Sequence, residues 1–308
     1  MIGRMRAAFT LVECTVAIVL LAILGTAVTT TVQRQGRAYR AAAELSELRD
    51  QLSEGAAILA SELRALAPGG GDVYPGGMGK NALEFRSAFG FSIACEISGG
   101  SILSLPSNSA SGAGTRLTWL YKRAEPGNGV YVFDEGSSAD LSDDAWVFRT
   151  IVSVVPDPAA CAAGAFAAAR DALSPGFRIS LSAALPGTVG AGAPVRFVER
   201  VRYALYRSSD NRWYLGYCAS STMTTTCAAL QPVSGPYLPP ASSPPSAPGG
   251  LDFHYVDANG TATTDPLNVA RIDIALRGVT YGTATLAGRL AAIPIRDSVR
   301  LSVEVRNR

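Results

Sequence analysis

The sequence predicts an α+β fold: a long N-terminal helix, membrane-spanning in its first half, packs on a C-terminal antiparallel β-sheet domain. Three observations predict it. Residues 9–32 form an apolar run with a single charge, Glu13, and a helix of this length spans a bilayer. Leucines then recur at helical spacing through residues 33–67. After Gly71 the apolar residues alternate with period two, which is typical of strands.

Composition limits the class of protein. The chain has 308 residues, of which 48% are hydrophobic and 17% are charged, so it can bury a core and is not intrinsically disordered. The net charge of +2 excludes a polybasic nucleic-acid arm and an acidic tail. His254 is the one histidine, which removes mechanisms that need two and most histidine-based zinc sites. We therefore expect neither a metal nor a cofactor.

The outer half of the helix, residues 33–67, has an apolar stripe and a charged opposite face. The stripe consists of Leu45, Leu48, Leu52, Leu59, Leu63 and Leu66. Pro68 and three glycines after it end the helix. The alternative for this half is a soluble coiled coil.

Residues 72–308 are expected to form the β-rich globular domain. Short strands are predicted at Leu83–Arg86, Phe91–Ile97, Arg116–Tyr121, Val130–Phe133, Trp146–Val154, Phe177–Leu185, Val195–Tyr206, Trp213–Tyr217, Leu251–Val256, Val269–Leu276 and Ser298–Val305. The segment 235–250 contains six prolines and is expected to be an extended surface loop.

A basic leader precedes the apolar run. It carries Arg4 and Arg6 and no acid, which favours a cytoplasmic N-terminus. A secretory signal peptide cut to leave Val28 first and an uncut signal anchor both fit this arrangement. Neither uses Glu13, although a carboxylate in a membrane helix costs about 2.5–3.5 kcal/mol on insertion scales and by default marks a function. The alternative interpretation is that Glu13 is a chance polar residue near the membrane interface.

The order of basic leader, small residue, Phe-Thr-Leu-Val-Glu and apolar run resembles the processing signal of the type IV prepilin family. The resemblance implies that residues 1–8 are a leader peptide, which a prepilin peptidase removes between Ala8 and Phe9, and that Phe9 is then N-methylated. Glu13 becomes the fifth residue of the mature chain. The family usually has glycine before the cut; Ala8 is small enough for the same subsite.

The processing that the resemblance implies would give Glu13 a partner. A new α-amino cation at Phe9 and the Glu13 carboxylate are each costly in apolar surroundings and tolerable as a hydrogen-bonded pair. We expect the carboxylate of an incoming subunit to meet the amine of an assembled one. Loss of Arg4 and Arg6 would leave 25 basic and 25 acidic residues, so steering of DNA by overall charge is not expected, and DNA stays an uncertain partner.

A weaker resemblance covers roughly the last third of the chain. The segments that carry it are Val201–Tyr206, Trp213–Leu215, Leu251–Asp257, Val269–Ile274 and Ser298–Arg306. Their order is similar to that in PilW-type minor pilins and in the J-type pseudopilins of type II secretion. The alternative is a generic antiparallel sheet.

Four cysteines lie outside the predicted membrane segment, and an even number beyond a membrane fits two disulfides. Cys218 and Cys227 lie nine residues apart and suit a hairpin, which leaves Cys95 with Cys161, although three connectivities are possible. Free buried thiols are one alternative. A zinc site is another, but the close C-x-x-C spacing is missing. Cys14 is interpreted as a small apolar residue.

Other polar residues suggest weaker candidates. His254 alternates with Phe253 and Tyr255, and no G-x-S-x-G motif accompanies it, so a strand histidine is favoured over a general base. Two clusters of acidic residues are candidates for calcium binding. Neither has the spacing of an EF-hand, so the interpretation as solvated turns is favoured. The groups are Asp134, Glu135, Asp140, Asp143 and Asp144, and Asp257, Asn259 and Asp265.

The resulting hypothesis is a minor pilin: not an enzyme, but a substrate of prepilin peptidase. The expected partners are other pilins or pseudopilins, through the N-terminal helix, and the inner membrane, crossed once with the C-terminal domain periplasmic or extracellular. One alternative is a type II secretion pseudopilin. The other, from a different class, is a membrane-anchored adhesin or binding module that does not polymerise.

Overall fold

The computed structural model describes residues 10–107, 117–138, 141–161, 176–224, 227, 229–241, 248–283 and 293–305. The chain divides into two compact units. One comprises residues 1–50 with 279–297, and the other residues 51–278 with 298–308. Helix α1 runs from Leu11 to Leu63.

Fourteen β-strands follow α1 in these described ranges. They are β1 Val73–Met78, β2 Ala82–Ile93, β3 Glu96–Ser98, β4 Ile102–Leu105, β5 Trp119–Leu120, β6 Gly129–Asp134, β7 Ala145–Asp157, β8 Gly176–Leu181, β9 Pro194–Arg207, β10 Trp213–Ser220, β11 Gln231–Tyr237, β12 Leu251–Val256, β13 Arg271–Val279 and β14 Arg296–Glu304. The expectation of an α+β chain with a long N-terminal helix and a large antiparallel sheet is confirmed.

The strands belong to one sheet in the order β12-β13-β11-β10-β9-β6-β7-β8-β4-β3. β1 and β5 pair with β2, β2 pairs with β9, and β14 pairs with β13. β9 organises the sheet because three strands pair with it. β2 lies along one edge from Pro194 to Ala204. On the other edge, β6 pairs with residues 195–198 and β10 with residues 200–207.

The main core lies around the N-terminal half of β9. Phe89, Val130 and Phe197 are fully buried there with residues of β4, β7 and β8. These side chains come from strands that are far apart in sequence, so burial of this cluster requires the whole sheet. Burial of one such side chain contributes roughly 1.5–3 kcal/mol.

In the first unit, the side chains of α1 are exposed over most of the helical segment. Every residue from 10 to 40 is exposed. Farther along, the Glu44 carboxylate accepts a hydrogen bond from the Gly282 amide at 3.1 Å, and Arg49 Nε lies 3.0 Å from the Asp297 carboxylate. The contacts of this unit therefore lie toward the end of its helical segment.

In the second unit, the last turns of α1 are buried along one side. Leu52, Leu59 and Leu63 are at most 3% exposed. Gly55 permits a close approach of the helix to β11, because a Cβ there would lie 2.6 Å from Ser234 Oγ and would overlap the Tyr237 hydroxyl. A substitution at Gly55 would therefore push the helix away from this strand.

The helix ends four residues before the predicted limit at Ala67. Its last turn tightens, since the Ala65 and Leu66 amides donate to carbonyls three residues back, as is common at helix ends. Pro68 has no amide hydrogen with which to continue the helical ladder. Gly71 then adopts a φ of +82°, which favours glycine.

A buried ion pair holds the connection between α1 and β1. Asp72 is fully buried. Its Oδ2 accepts hydrogen bonds from the Ala67 amide and from Arg196 Nη2, both at 2.9 Å. Arg86 donates to the Gly71 carbonyl, and the Tyr131 hydroxyl donates to the Gly70 carbonyl at 3.0 Å. The sheet thus fixes the chain directly after the helix.

Arginines stack on aromatic rings beside this ion pair. The Arg86 guanidinium lies 4.1 Å from the ring centroid of Phe148 and 4.9 Å from that of Tyr74. The Arg200 guanidinium lies 4.3 Å from the ring centroid of Tyr74 and also forms an ion pair with Glu84. Planar guanidinium groups suit this stacking better than lysine does.

The expected loop at 235–250 starts later than predicted. Gly235, Pro236 and Tyr237 belong to β11. Proline is tolerated because β11 and β10 pair irregularly, with a register shift between Trp213 and Leu215, and such bulges accept residues without a ladder hydrogen bond. Of the remaining loop, 242–247 lie outside the described residues.

Buried tyrosines predict a loss of stability at alkaline pH. Burial raises the pKa of Tyr237 to about 12, although the hydrogen bond with Ser234 opposes the shift; burial also raises the pKa of Tyr217 to about 12. Above about pH 10 the unfolded chain loses these protons and the folded chain keeps them. We expect the free energy of unfolding to fall by about 1.4 kcal/mol per pH unit for Tyr237 between pH 10 and 12.

The measurement is denaturant unfolding at several pH values. Tyr237→Phe should lower the slope of the unfolding free energy against pH by one proton. A slope identical to that of the unmodified protein would contradict the prediction.

Candidate functional site at the start of the helix

Glu13 lies in the first turn of α1 and contacts Thr10. The Thr10 amide donates to Glu13 Oε2 at 2.9 Å, and the Thr10 hydroxyl donates to the same oxygen at 3.0 Å. In return, the Glu13 amide donates to Thr10 Oγ1 at 3.3 Å. This reciprocal arrangement is a capping box, in which threonine and a glutamate three residues later satisfy amides that have no helical partner.

The capping box was missed in the sequence analysis, although the Thr-x-x-Glu spacing before an apolar run is its signature. It gives Glu13 a local role that does not require a second molecule. Among the described residues, the side-chain contacts of Glu13 use Oε2 alone.

The helix that carries Glu13 suits a membrane by length and composition. An 18-residue window of α1 is apolar enough to span a bilayer, and none of that window is buried inside the protein. The side chains of α1 include Leu11, Ile18 and Leu24, which are each at least 63% exposed. Lack of burial distinguishes this window from a core helix, while a signal sequence would meet the same criteria.

The proposed processing site borders the described residues. Cleavage is expected between Ala8 and Phe9, and methylation is expected at Phe9. Both residues lie outside the described residues. Thr10 is the first described residue, with Glu13 three positions later. Cys14 follows as a free, exposed cysteine.

The four remaining cysteines form two disulfides, with the pairing that the spacing favoured. Cys95 pairs with Cys161 across 66 residues, with Cα atoms 5.5 Å apart. Cys218 pairs with Cys227 across nine residues, at 5.9 Å between Cα atoms. Both Cα distances lie in the usual range for disulfides.

The two disulfides should differ in their contribution to stability. By loop entropy, the Cys95–Cys161 link is expected to contribute about 4 kcal/mol and the Cys218–Cys227 link about 2.5 kcal/mol. Denaturant unfolding of the two double Cys→Ser variants measures the difference. Equal losses, or a larger loss at Cys218–Cys227, would contradict the expectation.

The other candidates serve turns or the surface of a strand. His254 is exposed on β12, and its Nδ1 lies 4.0 Å from the carboxylate of Asp273 opposite. Asp143 accepts hydrogen bonds from the Ser137 and Ser138 amides, which lowers its pKa. Asp134 accepts from the Gly136 amide.

The second acidic group behaves similarly. Asp257 accepts from the amides of Asn259 and Thr261, and Asp265 caps a short 3-10 helix through the Leu267 amide. Asp140, expected with the first group, lies outside the described residues. In the described part of the chain, no three His, Cys, Asp or Glu side chains are placed to hold a metal ion.

Comparison of the chain with protein-family models, with curated proteins and with solved structures gives no match.

Proposed function

We propose that the chain is a minor pilin, a low-abundance structural or initiating subunit of a type IV pilus. The observation that carries the proposal is Glu13: a carboxylate in the first turn of a bare apolar helix, four residues after a Phe9 that follows a basic leader. The capping box accounts for one carboxylate oxygen. A neighbour's α-amino group is the donor that we propose for the other.

The exposed helix supports assembly through the same segment. All residues from 10 to 40 are exposed in the isolated chain, and apolar side chains of this number require a membrane or other helices around them. A subunit that waits in the inner membrane and then packs among the helices of other pilins meets both needs. The two disulfides fit a globular domain outside the cytoplasm.

In this proposal the protein has no catalytic role and is a substrate of prepilin peptidase. A type II secretion pseudopilin of the J kind would have the same helix and Glu13. A membrane-anchored adhesin that does not polymerise would share the anchor and the sheet. In such a protein the charge of Glu13 would have no role.

The deciding experiment identifies the N-terminal residue of the protein recovered from cell membranes by peptide mass spectrometry. Methylated Phe9 is the expected result. A chain that starts at Val28 would indicate a secreted domain, and an intact Met1 would indicate an uncut anchor. Either result would overturn the proposal.

A further inference from the structure

Three exposed aromatic side chains contact one another on the second unit. Phe91, Trp119 and Tyr121, called here the aromatic patch, are 51%, 44% and 56% exposed. The ring centroids of Phe91 and Trp119 lie 6.2 Å apart, and those of Trp119 and Tyr121 lie 6.3 Å apart. Single exposed apolar residues are ordinary, whereas a contiguous group marks an interaction site.

The sheet holds the patch in place. Phe91 on β2 lies directly opposite Trp119 on β5, so the two side chains share a face. The Tyr121 amide donates to the Phe89 carbonyl at 3.2 Å. The Tyr121 hydroxyl donates to Glu199 Oε1 at 2.8 Å. The rings are therefore presented to solvent without the entropy cost of ordering a mobile loop.

A cavity of about 350 Å³ adjoins the patch at Tyr121. It is open to solvent, and its wall mixes apolar and polar groups: Leu120, Lys122, Arg123, Val154, Pro156 and Phe177 contribute to it. A cavity of this size and mixed lining suits a small polar ligand with an apolar face. A fatty acid would require a closed, apolar cavity instead.

The charge at the cavity is positive. Lys122 forms an ion pair with Glu199, whose side chain is 3% exposed. Arg123 is exposed, and no ion pair to it occurs among the described residues. Its guanidinium can therefore bind a carboxylate in the bidentate manner that arginine favours.

We propose that the aromatic patch and this cavity bind an acidic saccharide, a sugar that carries a carboxylate. The C–H face of a pyranose ring packs on aromatic faces, whose negative potential attracts it. Arg123 would take the carboxylate. Single-stranded nucleic acid also stacks on aromatic rings, but it requires a row of cations along its backbone, and here Lys122 is already neutralised. The binding site goes beyond the proposed function and does not depend on it.

The test uses the full chain in detergent micelles. Tri-galacturonate is titrated and the heat of binding is measured by isothermal titration calorimetry; its methyl ester serves as the neutral ligand, and oligo-dT as the nucleic-acid probe. We expect saturable binding of tri-galacturonate and roughly tenfold weaker binding of the ester. Trp119→Ala and Arg123→Gln should each weaken tri-galacturonate binding roughly tenfold.

Matched controls make the result specific. Trp146 is 42% exposed, close to the exposure of Trp119, and Arg207 is exposed on β9, so Trp146→Ala and Arg207→Gln should leave binding unchanged. Circular dichroism checks that each variant is folded. The proposal is overturned by no saturable binding, by equal affinity for the ester, by equal effects of the controls, or by preferred binding of oligo-dT.

Discussion

Replacing Glu13 by glutamine is expected to abolish incorporation into filaments while helix α1 and its membrane insertion remain intact. Glutamine can still complete the capping box with Thr10, because its side-chain carbonyl accepts the same amide hydrogen bond. It removes the negative charge, so in the proposed assembly the α-amino cation of a neighbour would be left unpaired in apolar surroundings. Breaking such a buried pair costs about 3–5 kcal/mol, a loss of more than a hundredfold in assembly.

The matched control is Thr10→Ala, which removes the cap and keeps the charge. Loss of a cap costs about 0.5–2 kcal/mol, so this variant should still enter filaments. Immunoblots of sheared filaments and of membrane fractions measure both variants. If the glutamine variant assembles normally and Thr10→Ala does not, Glu13 acts as a helix cap alone and the assembly role fails.

Asp72→Ala is expected to destabilise the second unit by about 3–5 kcal/mol, the loss typical when one partner is removed from a buried ion pair. Arg196 would keep a partly buried charge without its carboxylate, since only 21% of its side chain is exposed. The Ala67 amide would lose its acceptor as well. Denaturant unfolding of the full chain in micelles, followed by tryptophan fluorescence, measures the loss.

The exposed pair of Arg49 and Asp297 provides the comparison. The Arg49 side chain is 65% exposed, so Arg49→Ala should cost no more than about 1 kcal/mol. The double variant Asp72→Ala with Arg196→Met should recover part of the loss, because it leaves no unpaired charge. A loss below 1 kcal/mol for Asp72→Ala would contradict the role given to this pair.

Sequence pattern alone predicts the elements whose side chains alternate cleanly. β12 matches the predicted Leu251–Val256 at both ends, since Leu251, Phe253 and Tyr255 point inward and polar residues alternate with them. Predicted limits are less accurate where tertiary pairing extends a strand: β9 begins at Pro194 and ends at Arg207, beyond the predicted Val195–Tyr206. Phe91–Ile97, predicted as one strand, is divided between β2 and β3.

Three strands were not predicted. β1 contains Pro75 and two glycines, and β11 contains Pro232, Gly235 and Pro236. Such residues indicate turns in an isolated sequence, and only pairing with β2 and with β10 makes these segments strands. β4, Ile102–Leu105, has four residues and carries too short a pattern to detect.

The functional features also differ in whether the sequence alone can predict them. Thr10 and Glu13 are three residues apart, so the local sequence pattern is enough to predict their contact. The aromatic patch requires Phe91 to lie opposite Trp119, and the Asp72 pair requires Arg196 from a strand far along the chain. Contacts of this kind depend on strand order, which alternation of apolar residues does not specify.

The position of β9 between β2 and its other partners sets the order in which the domain can fold during synthesis. β2 pairs with β9 from Ala82 opposite Ala204 to Ile93 opposite Pro194, so the edge of β2 that faces β9 has no partner until about two thirds of the chain has emerged. Closing so long a loop is slow, and sheets dominated by such pairings fold in milliseconds to seconds. During that interval this edge of β2 is open and prone to aggregation, and we expect newly made chains to depend on chaperones until β9 has been synthesised.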